Sequence, residues 1–231
     1  MVNLFQTVME GVERLKQEAG VAACNFIKDG MKLGLGTGST VRYTIIEIGR
    51  RISEEGLNVV GVPTSEDTRK LAEQLGIPLV NLSETEGLDL VIDGADEFDL
   101  NKCLIKGGGG AHTKEKVLAS SSKCFICIAD STKRVEQLGA FPLPIEVIPF
   151  AKDSVLHALG EYSENIIQRD FITDSGNIIL DLHGVDLRSP KEIETKLNLI
   201  PGVVDNGIFA HHAVSYTHLR AHETEADLVC R

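Results

Sequence analysis

The sequence predicts an α/β protein: a doubly wound, mostly parallel, Rossmann-like sheet with a second, smaller α+β domain. Two observations carry this. Up to about residue 130, short apolar β-prone runs alternate with helical runs, the pattern of a parallel sheet with helices on both faces. Beyond residue 130 the style changes to proline-bounded strands, a hairpin signal and short helices. The expected domains are residues 1–130 plus 205–231, and residues 131–204.

The elements follow in order. Residues 4–28 carry apolar side chains at helical spacing, from Leu4, Phe5 and Val8 to Phe26 and Ile27, interrupted by Gly11 and Gly20. MKLGLG is a strand running into glycines, TVRYTIIEIGRRISEE a helix, and NVVGVPTS a strand with a loop. EDTRKLAEQLG is a helix closed by Gly76, and IPLVNL a strand. LDLVIDGADE is a buried strand ending in an acidic loop, followed by helix EKVLASSS and strand CFICIAD. The second domain offers strand PLPIEVIPFA, helix AKDSVLHALGEYS and a hairpin in DFITDSGNIILDL. It closes with a helix in SPKEIETKLNLIPGV, with Ser189 before Pro190 at the first helical position.

The 231 residues are 42% hydrophobic and 25% charged, with no tryptophan, an ordinary globular composition able to bury a core. The net charge of -11 repels phosphodiester backbones and anionic lipid, which argues against nucleic-acid and membrane-surface partners. A small anionic ligand feels only the local field. No run approaches the ~18 apolar residues of a membrane span, and the N-terminus has no signal-peptide pattern. Five cysteines, an odd number, suggest reduced thiols and a cytoplasmic location. Cys124 and Cys127 form a C-x-x-C, but in a strand they face opposite sides, and no second pair completes a zinc site.

Four clusters carry chemistry, and three lie where a parallel strand ends, the edge at which such sheets bind ligands. Gly34-Leu35-Gly36-Thr37-Gly38-Ser39-Thr40 joins backbone amides and hydroxyls at a helix start, which suits phosphate. It is neither a P-loop nor a G-x-G-x-x-G, and a tight strand-to-helix turn accounts for the same glycines. Asp93-Gly94-Ala95-Asp96-Glu97 places three carboxylates at the end of a buried strand, suited to sugar hydroxyls, proton transfer or a metal; a solvated acidic turn is the plainer reading. In Lys106-Gly107-Gly108-Gly109-Gly110, the glycines can present several amides to one oxyanion. Glu115 follows in the first turn of a helix, whose positive end favours the ionised form a general base needs. Asp130-Ser131-Thr132-Lys133 is a further loop with one cation.

In this order, GTGST, DGADE, KGGGGAHTKEK and DSTK, with PIEVIPFA, TDSGN and PGVVDNGIF, resemble the signatures of the A-type ribose-5-phosphate isomerases, from about Lys16 to about Phe209. The resemblance implies an aldose–ketose isomerase of the non-oxidative pentose phosphate pathway. It would interconvert D-ribose 5-phosphate and D-ribulose 5-phosphate through an enediolate, without cofactor or metal. It further implies Glu115 as the base, Lys106 with the Gly107, Gly108 and Gly109 amides as oxyanion support, and Asp93 and Asp96 as groups handling hydroxyl protons and ring opening. Gly94 and Ala95 would contact substrate. Thr37, Gly38, Ser39 and Thr40 would hold it at its phosphate, and Lys133 and Lys16 would add positive charge. A homo-oligomer, dimer or tetramer, is implied as well. His112 falls at a position the family fills variably and reads as a spectator.

The end departs from the family. Where a returning apolar strand is expected, the chain reads AHHAVSYTHLRAHETEADLVCR. This reads as a foreign or frame-shifted tail whose missing strand would leave a sheet edge exposed. His211, His212, His218 and His222 fall there, and the spacing is not H-E-x-x-H. Competing readings are a phosphosugar-sensing domain, which needs neither Glu115 nor Lys106, an aminosugar-phosphate deaminase or CoA transferase on the same scaffold, and a dinucleotide-binding domain.

Overall fold

The computed structural model describes residues 2–211, 215–220 and 223–227, with side chains for 11–211. Its elements are α1 (Val2–Ala23), β1 (Lys32–Leu35), α2 (Val41–Glu55), β2 (Val60–Pro63), α3 (Glu66–Gln74), β3 (Leu90–Gly94), β4 (Glu97–Phe98), β5 (Leu104–Ile105), α4 (His112–Ser120) and β6 (Phe125–Ile128). Then follow β7 (Leu143–Val147), α5 (Lys152–Leu159), β8 (Asn165–Gln168), β9 (Ile178–His183), α6 (Pro190–Asn198), β10 (Val203–Asn206), β11 (Ile208–Phe209), β12 (Ser215–Arg220) and β13 (Glu223–Asp227).

The chain forms two compact units. Of the described residues, the first comprises 2–94, 118–133, 215–220 and 223–227. Its sheet has the order β13-β12-β6-β3-β1-β2, parallel except for the β12–β13 pair. The apolar runs of β1, β3 and β6 supply Leu33, Leu35, Leu90, Ile92, Ile126 and Ile128, and α2 adds Val41, Ile45 and Ile48 at helical spacing. Strands β2 and β3 flank β1 on opposite sides, so the loops after β1 and β3 leave the sheet at a topological switch point. That places the glycine-threonine loop beside Asp93 at the end of β3.

The second unit comprises residues 95–117 and 134–211. It holds an antiparallel sheet, β10-β7-β9-β8, and a small one, β11-β5-β4. Leu143, Ile145 and Val147 pack with Leu180, Leu182, Val155, Leu159 and Leu197 in its core. The grouping differs from the boundaries read from sequence: 95–117 and 205–211 pack with the second unit, through β4, β5 and β11.

Three local expectations are corrected. Ile77–Leu82 contributes only the bridge Gly61–Leu79 and then a short 3₁₀ turn at Leu82–Glu84. The hairpin exists, but its first strand is Asn165–Gln168; beyond it the Arg169 N–H still donates to the Ile179 carbonyl and the Thr173 N–H to the Asn177 carbonyl. The sheet edge beside β6 is covered, since the β12 backbone pairs parallel with it. His212, the side chains of His218 and His222, and those of Leu4, Phe5 and Val8 lie outside the described residues; His211 is exposed beside Thr195.

Ile126 is fully buried on a strand with neighbours on both sides. Ile126→Ala is expected to cost about 2–5 kcal/mol, seen as a lower urea midpoint with an unchanged m-value.

Candidate active site

In the first unit the site is built around Asp93, which is fully buried at the end of β3. Its Oδ1 accepts the Thr37 N–H at 3.1 Å and the Gly94 N–H at 2.7 Å. A Cβ at Gly36 would sit 2.2 Å from Asp93 Oδ1, so the close approach of the two loops requires glycine there. The Thr37 hydroxyl is committed to a network with Thr64 at 2.7 Å, Ser65 at 2.8 Å and Thr68 at 3.3 Å. Gly38 and Ser39 are exposed, while Thr40 is buried. A cavity of ≈ 290 Å³ opens here, lined by Thr37, Gly38, Ser39, Arg42, Ile45, Asp67, Thr68 and Leu71. Lys133 is half-buried at the end of the 130–133 loop. Lys16 stands on α1 in an ion pair with Glu13 at 2.8 Å, and Glu13 also accepts from the Tyr43 hydroxyl.

In the second unit, β5 delivers Lys106 and the first turn of α4 delivers Glu115. Their charges meet at 3.1 Å, Nζ to Oε2, with both side chains about 95% or more buried. Lys106 Nζ also lies 5.5 Å from the ring centroid of the buried Phe209; Lys116 Nζ lies 5.0 Å from that centroid. Lys116 is anchored by Glu194 at 3.0 Å and Asp205 at 2.8 Å. The glycine loop turns tightly, with the Gly110 N–H donating to the Gly107 carbonyl at 2.9 Å and φ of 105° at Gly107. Asp96 Oδ2 accepts the Gly108 N–H at 2.7 Å. Gly94, Ala95 and Asp96 are half-buried, and Gly108 and Gly109 are exposed.

The acidic motif thus divides. Asp93 braces the glycine-threonine loop and Asp96 the four-glycine loop, whereas Glu97 accepts the N–H groups of Gly139 and Phe141 and holds a turn. Among the described residues no cluster of three or more His, Cys, Asp or Glu could hold a metal ion. Cys127 is buried in β6 and Cys124 is half-buried before it.

Sequence reasoning missed Arg42, Thr64, Ser65 and Thr68, whose only local signal was a Ser-x-x helix start at Ser65. His112, a spectator in the sequence reading, lies beneath the glycine loop. The ring is fully buried, and neither nitrogen makes a hydrogen bond of normal geometry. Burial pushes its pKa down to about 3, and the nearby charges of Lys116, Arg169 and Lys106 act in the same direction. A Cβ at Gly107 would lie 2.7 Å from the His112 Nδ1, so the ring packs directly under the glycine loop.

The sequence profile of the family Ribose 5-phosphate isomerase A (phosphoriboisomerase A) matches residues 60–222. A ribose-5-phosphate isomerase A of Bacillus mycoides is 49% identical over 201 residues, covering 84% of this chain and 90% of that one. The ribose 5-phosphate isomerase A structure from Methanocaldococcus jannaschii superposes with a TM-score of 0.86 at 41% identity, covering 95% of this chain and 99% of that one. A D-ribose-5-phosphate isomerase in complex with phospho-erythronic acid gives a TM-score of 0.87 at 38% identity, with the same coverage.

Because the folded pKa of His112 lies below its ordinary value, the unfolded state binds more protons between about pH 6.5 and 3. His112 therefore contributes a loss of stability as pH falls through that window and no loss above it. In an NMR titration its imidazole is expected to stay neutral at pH 5; a midpoint near 6.5 would contradict the packing described.

Proposed function

The chain belongs to the ribose 5-phosphate isomerase A family, and from that premise we propose how its residues divide the reaction. The enzyme is an aldose–ketose isomerase that interconverts D-ribose 5-phosphate and D-ribulose 5-phosphate. The observation that carries the assignment of roles is the buried Glu115–Lys106 pair, a base and a cation at 3.1 Å.

In this reading Asp93 and Asp96 assist ring opening to the free aldehyde. The Glu115 carboxylate then removes the C2 proton; its bonding electrons form the C1–C2 double bond, and the carbonyl π electrons move onto O1. The Lys106 ammonium and the glycine-loop N–H groups stabilise that oxyanion. The O2 hydroxyl proton passes to O1, relayed by Asp93 or Asp96, through a cis-enediolate. Glu115 returns its proton to C1, leaving the ketose. Every proton is restored, so the residues alone balance the step.

Thr37, Gly38, Ser39 and Thr40 bind the phosphate, supported by the hydroxyl-lined cavity and by Arg42 in its wall. Asp67 shares that wall, so the amides at the start of α2 carry more of the anion's stabilisation than net local charge does. Gly94 and Ala95 lie against the sugar, and Lys133 and Lys16 add positive potential. We place the reaction in the non-oxidative pentose phosphate pathway and in the cytoplasm. The five cysteines, an odd number, support a reducing compartment. We also propose a homodimer, supported by the exposed Phe150, Leu199 and Leu100 of the second unit.

Ribulose 5-phosphate should form from ribose 5-phosphate with chelator present; failure by folded protein would overturn the cofactor-free reading. Glu115→Gln is expected to lower kcat by about 10²- to 10⁴-fold with KM little changed, and a near-normal kcat would remove Glu115 from the mechanism. Lys106→Ala should reduce kcat more than it raises KM, and the reverse pattern would make Lys106 a ground-state binding group.

A further inference from the structure

Arg169 reaches the glycine loop from the β8–β9 connection of the same unit. Asp181 holds its guanidinium by two hydrogen bonds, from Nε at 2.7 Å and from Nη2 at 2.8 Å. The remaining amino group, Nη1, donates to two main-chain carbonyls, Gly107 O at 2.8 Å and Gly108 O at 3.0 Å. The side chain is 13% exposed.

A trans peptide is planar, and its N–H points opposite to its C=O. With the Gly107 and Gly108 carbonyls turned toward Arg169, the N–H groups of Gly108 and Gly109 turn away from it. The Gly108 N–H accordingly meets Asp96 Oδ2 at 2.7 Å. Gly109 itself is exposed. Four consecutive glycines have little conformational preference of their own, so an outside constraint has to choose these peptide orientations. The same connection touches the loop again. A Cβ on Gly110 would lie 2.6 Å from the Phe171 ring, and Thr173 and Asn177 donate to Glu146, which also accepts from the Thr113 hydroxyl at the start of α4.

We propose that Arg169, oriented by Asp181, is a positioning residue for the isomerisation: it fixes the Gly107–Gly108 and Gly108–Gly109 peptide planes so that the Gly109 N–H faces the developing oxyanion and the Gly108 N–H orients Asp96. This rests on the reading of Lys106 and the glycine loop as the oxyanion-stabilising group. A lysine cannot replace Arg169, because a point charge lacks the planar fork that joins Asp181 to both carbonyls.

Steady-state kinetics on Arg169→Ala, Arg169→Lys and Asp181→Asn test it, with Lys106→Ala as reference and urea unfolding of each variant as the check on folding. Arg169→Ala is expected to lose about 10- to 100-fold in kcat with KM changed less than about threefold. Added guanidinium at non-denaturing concentration should restore part of that loss, Arg169→Lys should not, and Asp181→Asn should lower kcat in the same sense. Folded Arg169→Ala with kcat within about twofold of the parent, or full activity in Arg169→Lys, overturns the proposal. If the Arg169 variants do not fold, Asp181→Asn decides: an unchanged kcat overturns it. Should Lys106→Ala also retain kcat, the oxyanion reading falls with it; should only the Arg169 and Asp181 variants retain it, the positioning role alone falls.

Discussion

The second unit depends on one constraint: a carboxylate and an ammonium, Glu115 and Lys106, taken out of water together at 3.1 Å. Removing one partner of such a pair costs about 3–5 kcal/mol, because the other charge stays buried without compensation. The second unit is arranged to keep them matched. Strand β5 pairs with both β4 and β11, which fixes where Lys106 emerges. Helix α4 begins directly after the glycine turn, so Glu115 falls in its first turn. The buried Phe209 ring lies within cation–π range of both Lys106 and Lys116, and Glu194 and Asp205 compensate Lys116.

The two glycine-rich loops solve different problems. In the first unit, Gly36 exists because Asp93 occupies the space a side chain would need. In the second, Gly107 makes room for the His112 ring and takes a positive φ, and Gly110 makes room for Phe171. Neutral His112 under the loop suits a site already holding Lys106, Lys116 and Arg169, since a further cation there would repel all three.

Much of this was legible in the sequence, for physical reasons that particular residues make plain. Runs such as Leu90–Ile92 and Phe125–Ile128 are apolar on both faces, which only a doubly covered parallel strand explains. Lys106, Glu115, Asp93 and Asp96 stood out because charges beside glycines at strand ends have few structural uses. What stayed hidden is long-range. Arg169 meets Gly107 across 62 residues, with no local pattern to mark it. Glu97 looked like its acidic neighbours, but its partners lie more than forty residues on. Ile77–Leu82 has strand composition, yet it meets Gly61 only at Leu79, and its amides turn into a 3₁₀ turn instead. In the tail, a strand forms beside β6 by main-chain pairing, which composition does not encode.

Proton abstraction by Glu115 through an enediolate is read by isomerisation in deuterium oxide followed by NMR of the product. While Glu115 holds the abstracted proton it can exchange with solvent, so partial solvent deuterium at C1 of ribulose 5-phosphate is expected during turnover, together with its loss in Glu115→Gln. Incorporation at C1 by Glu115→Gln equal to the parent's would contradict it.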